Sequence, residues 1–340
     1  MWDRQPPPLL RGLAWLYANG WRIYEHLYHW GIKRRVRLPV PIVGVGSLLV
    51  GGAGKTPVAI AIARQLHESG RHVAVLCSGY SGRRFNTITL LEPGETPDPI
   101  EVGDEPVEIL NALREVPIAV GRRRVAVAQA ALARWQPEVL VLDDGFQHLP
   151  LARTVDLVVL PAVRPFGNGY CLPAGPLREP PAGLQRADAI LQTRYTYRQE
   201  VEPPSLACVA ARANHLPLFE AMIEPEGLED LATGQLLPPD ALYGHEVVAI
   251  AGIARAYRFL QTAEQLGIRV VETRLFPDHY PFEREDWGWA RARTLLTTAK
   301  DATKLRARLP AECRAYALRI HARLEPAFCN WLLERLHFAV

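Results

Sequence analysis

Lysine is scarce in this sequence. Lys33, Lys55, Lys300 and Lys304 are the only four among 39 basic residues; the rest are arginines. Acidic and basic totals nearly cancel, leaving a formal charge of +3 over 340 residues, so a general nucleic-acid binder is not expected. Cysteine is also sparse. Cys77, Cys171, Cys208, Cys313 and Cys329 are odd in number, widely scattered and contain no C-x-x-C pair. That argues against a disulfide framework or a zinc site and for a reducing compartment. No apolar run reaches the ~18 residues that span a bilayer. The N-terminus also lacks a continuous apolar region followed by a small-residue cleavage site, so no secretory signal is expected. There is no internal repeat or low-complexity tract. Hydrophobic residues make up 49% of the chain, enough for a full core, and its length makes two domains a reasonable expectation.

Against that background a lysine inside a glycine loop stands out. Gly51-Gly52-Ala53-Gly54-Lys55-Thr56 follows the apolar run Val40 to Val50 and leads into Pro57-Val58-Ala59-Ile60-Ala61-Ile62-Ala63. A buried strand ending in glycines lets the backbone curl around an anion. The helix that follows points unpaired N–H groups at it. Lys55 would then charge-pair the β/γ-phosphates, and the Thr56 hydroxyl would meet Mg²⁺. A guanidinium fork does not fit the space that a lysine stem does. The nucleotide cradle is therefore expected over Leu49, Val50, Gly51, Gly52, Ala53, Gly54, Lys55 and Thr56. The common pattern has glycine where this chain has Leu49, so the double glycine has to make the tight turn.

Further along, His72 to Leu76, Ile118 to Val120, Val139 to Leu142, Val155 to Leu160 and Ala189 to Leu191 read as strands. Val107 to Arg114 and Val125 to Trp135 read as helices. Glu92 to Pro99 and the Pro/Gly-rich stretch Pro165 to Pro181 read as loops, the second long enough to suggest a functional one. A second α/β pattern begins near Glu220, with strands Val247 to Ile250, Val270-Val271, Thr294 to Thr298 and Ala315 to Ile320. Its helix runs from Ala254 to Leu266, and a last apolar helix spans roughly Pro326 to Phe338. Alternating strands and helices predict a P-loop-like α/β fold: a mostly parallel sheet with helices on both faces, plus a second, smaller α/β domain. The expected divisions are an N-terminal helix in residues 1–40, an ATP-binding domain in 41–215, a smaller domain in 216–322 and a C-terminal helix in 323–340. Functional loops belong at the carboxyl ends of the strands.

The first forty residues have their own pattern. Leu10, Leu13, Tyr17, Trp21, Tyr24 and Tyr28 recur at helical spacing, Trp2, Trp15, Leu16 and Trp30 add apolar area, and Lys33-Arg34-Arg35 and Arg37 follow. An aromatic amphipathic helix ending in a basic cluster suits a membrane surface with anionic headgroups. The alternative is a helix packed on its own domain with a solvated charge run.

Asp143-Asp144 ends an apolar strand downstream of the glycine loop, where such folds place the carboxylate that holds Mg²⁺ or its water. Asp104 in Gly103-Asp104-Glu105-Pro106 reads by itself as a helix cap. His279 in Phe276-Pro277-Asp278-His279-Tyr280 carries little by spacing.

Taken together, these blocks resemble the tetraacyldisaccharide 4′-kinase (lipid A 4′-kinase) family over nearly the whole chain. The matching residues are Val50 to Pro57, Gly103 to Pro106, Leu142-Asp143-Asp144-Gly145-Phe146-Gln147-His148, Phe166 to Gly169 with Leu172 to Glu179, and Phe276 with Asp278-His279. The resemblance implies transfer of the γ-phosphate of ATP to the 4′-hydroxyl of an acylated glucosamine disaccharide 1-phosphate. It also implies a peripheral protein at the cytoplasmic face of the inner membrane; no obligate protein partner is inferred. It makes Asp104 and His279 a catalytic dyad, in which Asp104 accepts the hydroxyl proton and His279 supports it, beside Lys55. Arg178 and Arg122-Arg123-Arg124 are candidate phosphate contacts. Two positions depart from the family: Ser78 where it usually has arginine, and Ala299 where it usually has glutamate. A membrane-associated ATPase switch is one rival reading, although Val50 stands where such switches carry a lysine. A non-catalytic glycolipid binder, motivated by Ser78 and Ala299, is the other.

Overall fold

The computed structural model describes residues 5–195 and 206–338; Trp2 of the N-terminal aromatic set lies outside them. The chain opens with helix α1 (Pro8–His29). The first half then runs β1 (Ile42–Gly46), α2 (Lys55–Glu68), β2 (Val73–Cys77), β3 (Thr89–Leu91), α3 (Pro99–Val102), α4 (Asp104–Ala112), β4 (Ile118–Val120), α5 (Arg124–Trp135), β5 (Val139–Asp143), β6 (Val155–Pro161) and β7 (Ala189–Tyr195). The second half comprises α6 (Leu206–Ala213), β8 (Leu218–Asp230), β9 (Leu236–Leu237), β10 (Glu246–Ala251), α7 (Ala256–Gln265), β11 (Arg269–Leu275), β12 (Thr294–Thr298), α8 (Ala299–Leu305), β13 (Arg314–Leu324) and α9 (Pro326–Arg335).

All these strands belong to one sheet, in the order β11-β10-β12-β13-β8-β7-β6-β1-β5-β2-β4-β3, with β9 beside β8. Pairing is parallel from β4 through β2, β5, β1, β6 and β7 to β8, and again from β13 to β11. The two runs meet at the long antiparallel β8–β13 pair. The α/β fold expected from the strand–helix alternation is present, as one continuous sheet.

The strand period explains the layers. Val43 and Val45 of β1, Val73 and Val75 of β2 and Val139 and Val141 of β5 share a cluster with Val58, Ile62 and Leu66 of α2 and Ile109 of α4. Ile42, Ala74, Leu76, Leu140 and Leu142 point the other way, onto Val127, Ala128 and Ala131 of α5. Each strand is apolar on both faces because each face is covered. Helix α9 returns to the first half, placing Phe328 and Leu332 in the same cluster as α2.

β8 was not among the expected strands; Pro225 and Gly227 interrupt its sequence. Pro225 is tolerated since it stands opposite Ile320 where the β8–β13 register shifts, a bulge at which proline's missing N–H matters little.

Gly46 sets how closely the aspartate turn approaches the glycine loop. A Cβ there would lie 2.4 Å from the Cβ and 2.7 Å from the backbone nitrogen of Phe146. Gly145 also donates to the Val45 carbonyl at 3.1 Å. Gly46→Ala is therefore expected to cost about 1–3 kcal/mol by overpacking, read as a lower urea midpoint. An unchanged midpoint would contradict this packing.

Candidate active site

The loop between β1 and α2 turns on Gly51 and Gly52, both left-handed at φ 65° and 64°, and enters the helix through Gly54 at φ 85°. The double glycine thus makes the turn. Leu49 is fully buried, in a bridge with Leu177, and its amide is held by the Ser47 hydroxyl. The Val50 amide donates to Pro176 and the Arg178 amide to Leu48, so the Pro/Gly-rich segment is strapped to the loop's entry. Of the expected cradle residues, Val50 through Thr56 line a cleft of about 1150 Å³; Leu49 does not, because its side chain fills the core beneath.

Lys55 lies 3.5 Å from Asp144, whose two oxygens also accept from Arg178 at 2.7 Å each. Burial would push the Asp144 carboxyl up, but Lys55 and Arg178 outweigh it and hold it down at about 2. Asp143 differs. It accepts from the Thr56 hydroxyl at 3.1 Å on one oxygen, while the other is buried without a partner. Burial, then the nearby Glu105 and Asp144 carboxylates, push it up to about 7. Adjacent residues on one turn are therefore shifted in opposite directions because their partners differ.

Asp104 opens α4 and His279 lies in the loop after β11, yet the two meet. His279 Nδ1 is 3.0 and 3.1 Å from the Asp104 oxygens. The backbone supports this, since the His279 amide donates to Gly252 and its φ of 61° is left-handed. Lys300 Nζ lies 3.2 Å from Nε2; an ammonium can only donate, so Nδ1 carries the hydrogen directed at Asp104. Lys304 Nζ reaches Asp104 at 2.9 Å. Burial opposes ionisation of Asp104, but the His279 hydrogen bond and the Lys300 and Lys304 charges hold its carboxyl far below the usual range.

Exposure separates the dyad's members. Asp104 is 1% exposed and does not line the cleft, whereas His279 does. His279 and Glu105 face the cavity, and Asp104 stands behind them.

Other groups complete the walls. Arg178, Arg122 and Arg124 line the cleft; Arg123 does not, and it is exposed. Ser78 and Ala299 both line it, and Ala254 and Arg255 of the second half press on Gly51 and Gly52. Lys300, Lys304 and Arg255 were missed as site residues by reading the sequence. The lysine scarcity that singled out Lys55 applied equally to Lys300 and Lys304.

The chain as a whole has clear relatives. Residues 7–337 match the family LpxK, tetraacyldisaccharide-1-P 4′-kinase. The chain belongs to that family. It is 35% identical to the tetraacyldisaccharide 4′-kinase of Syntrophus aciditrophicus (strain SB), over 98% of this chain and 94% of that one. It is 40% identical to the counterpart from Anaeromyxobacter sp. (strain Fw109-5), over 91% and 85% respectively. Among solved structures, that of LpxK from Aquifex aeolicus in complex with ATP superposes with a TM-score of 0.79, at 31% identity and covering 96% of this chain and 98% of that one. The chain is thus a tetraacyldisaccharide 4′-kinase of lipid A biosynthesis. The switch and non-catalytic readings give way to it.

Behind the aspartate turn, His148 has a buried Nε2 with no partner. Burial, then Arg124 and Arg153, push its pKa down to about 4. An unfolded histidine binds its proton near pH ~6.5, so folding is penalised as pH falls from there and the penalty is complete near the lower value. It amounts to about 3 kcal/mol. His148→Gln is expected to lose less stability than wild type across this interval in urea melts. Parallel curves for the two proteins would contradict the assignment.

Proposed function

We propose that the Asp104–His279 dyad accepts the proton of the 4′-hydroxyl of tetraacyldisaccharide 1-phosphate while the glycine loop and Lys55 hold the β- and γ-phosphates of ATP. The observation that carries this is the meeting of Asp104 and His279, 175 positions apart, at a cleft lined by Val50 to Thr56. Transfer through a loose phosphoryl transition state needs alignment and charge stabilisation more than a strong base. The loop's N–H groups and Lys55 supply these at the phosphates, and His279, held in one tautomer by Asp104 and Lys300, aligns the acceptor. Ala254 and Arg255 over Gly51 and Gly52 close one wall against water.

The donor set suits a hard cation. A hydroxyl and two carboxylates stand at the loop, and one Asp143 oxygen is buried without a partner. In this reading Thr56 and Asp143 hold Mg²⁺, and Asp144, gripped by Arg178 and Lys55, supports them through the second sphere. When bound, the ion neutralises charge on the β- and γ-phosphate oxygens.

Helix α1 provides the membrane contact. No helix among the described residues is long and apolar enough to cross a membrane. The expected aromatic stripe splits, because Tyr17 donates to the Arg178 carbonyl and Trp21 to Glu179, which turns both toward the body of the protein. The face left outward carries Leu9, Leu13, Leu16 and Ile23, with Trp15 and Trp30 nearby and exposed Arg34, Arg35 and Arg37 following. Such a face lies in the headgroup region without spanning. It would seat the kinase at the cytoplasmic face of the inner membrane, where an acylated disaccharide is held.

Asp104→Ala and His279→Ala should each lower kcat by roughly 10²–10⁴-fold, with ATP affinity by calorimetry changed far less. Near wild-type turnover in either variant would remove the dyad. Replacing Leu9, Leu13, Leu16 and Ile23 with serine should reduce co-flotation with anionic liposomes while leaving the melting temperature intact. Undiminished flotation would return α1 to an ordinary packing helix.

A further inference from the structure

We infer that Lys304 is a positioning residue for phosphoryl transfer, keeping Asp104 ionised and oriented as partner of His279. The inference rests on the reading of Asp104 and His279 as the dyad. Asp104 and Lys304 are 1% and 5% exposed, so neither charge is offset by water. An isolated carboxylate at such depth takes up a proton instead. A protonated Asp104 would no longer accept fully from Nδ1–H, and the histidine's tautomer and tilt would be freed.

Of the two nearby ammonium groups, Lys304 is the one that touches the Asp104 carboxylate. One Asp104 oxygen accepts from the Glu105 amide at 3.0 Å and from His279, and the other from His279 and from Lys304. Lys300, the other nearby ammonium, is engaged elsewhere, 3.2 Å from His279 Nε2 and 3.3 Å from Asp278. Lys304 is itself fixed. It projects from α8, lies 3.6 Å from Asp301 and sits 5.5 Å from the Phe282 ring. Asp301 in turn accepts from the Gly252 amide, and the Gly252 carbonyl accepts from the His279 amide. One connected set in the second half thus presents both His279 and Lys304 to a carboxylate of the first half.

The test is a double-mutant cycle on the full chain with ATP, Mg²⁺ and detergent-dispersed tetraacyldisaccharide 1-phosphate. Lys304→Met is expected to lower kcat on the order of 100-fold with KM for ATP within about threefold. Lys304→Arg, which keeps the cation, should recover at least about tenfold of that loss. Once Asp104→Asn has removed the charge, adding Lys304→Met should change kcat by less than about threefold. A loss that recurs undiminished in the Asn background would mark general structural damage and overturn the inference, as would a Met variant with wild-type kcat. If Lys304→Met alone does not fold, recovery of its melting transition in the Asn background supports the charge pairing; failure in both backgrounds overturns it. Near wild-type turnover in Asp104→Asn would instead overturn the dyad reading, whatever Lys304 does.

Discussion

A carboxylate buried at the back of the cleft is stable here because the other half of the chain surrounds it with hydrogen-bond donors and cations. Asp104 starts α4 in the first half, while His279, Lys300 and Lys304 come from the loop after β11 and from α8. Coulomb attraction at low exposure is strong, and so is the penalty for removing one partner. This constraint ties the two halves together at the point where chemistry is expected. It also explains why a histidine accepts a left-handed backbone: its amide is pinned to Gly252, whose own amide is held by Asp301.

The other side of the cleft is built by the sheet. β1 and β5 lie side by side, so the glycine loop and the aspartate turn emerge next to each other. Gly46 allows them to touch, and the strap from Pro176 to Arg178 then fixes both. Its arginine locks Asp144, and the adjacent Glu179 receives Trp21 of α1, Gln147 and Arg186. This corner links the surface helix to the Asp143–Asp144 turn within a few residues.

Much of this was legible in the sequence, and the exceptions have physical causes. Strands such as Val139 to Asp143 announce themselves because both faces are covered and Val139 to Leu142 are all apolar. β8 hid behind Pro225 and Gly227, which a bulge and a close edge contact tolerate but a local reading cannot anticipate. Asp104 and His279 carry no signal in their own neighbourhoods. Their pairing is a product of tertiary structure, and only the family resemblance pointed to it. The order of the pair relative to the cleft was invisible at that level, because burial depth is set by α8 and its lysines. The N-terminal helix shows the same limit: spacing gave a correct helix, but hydrogen bonds from Tyr17 and Trp21 decided which face turned inward.

The most direct test of the account is a crystal structure of the protein with a non-hydrolysable ATP analogue, Mg²⁺ and the acylated disaccharide 1-phosphate. The account predicts the γ-phosphate beside Lys55 and the 4′-hydroxyl within about 3 Å of the Asp104–His279 pair, directly or through one water. An acceptor hydroxyl bound on the far side of the γ-phosphate, away from His279, would contradict it.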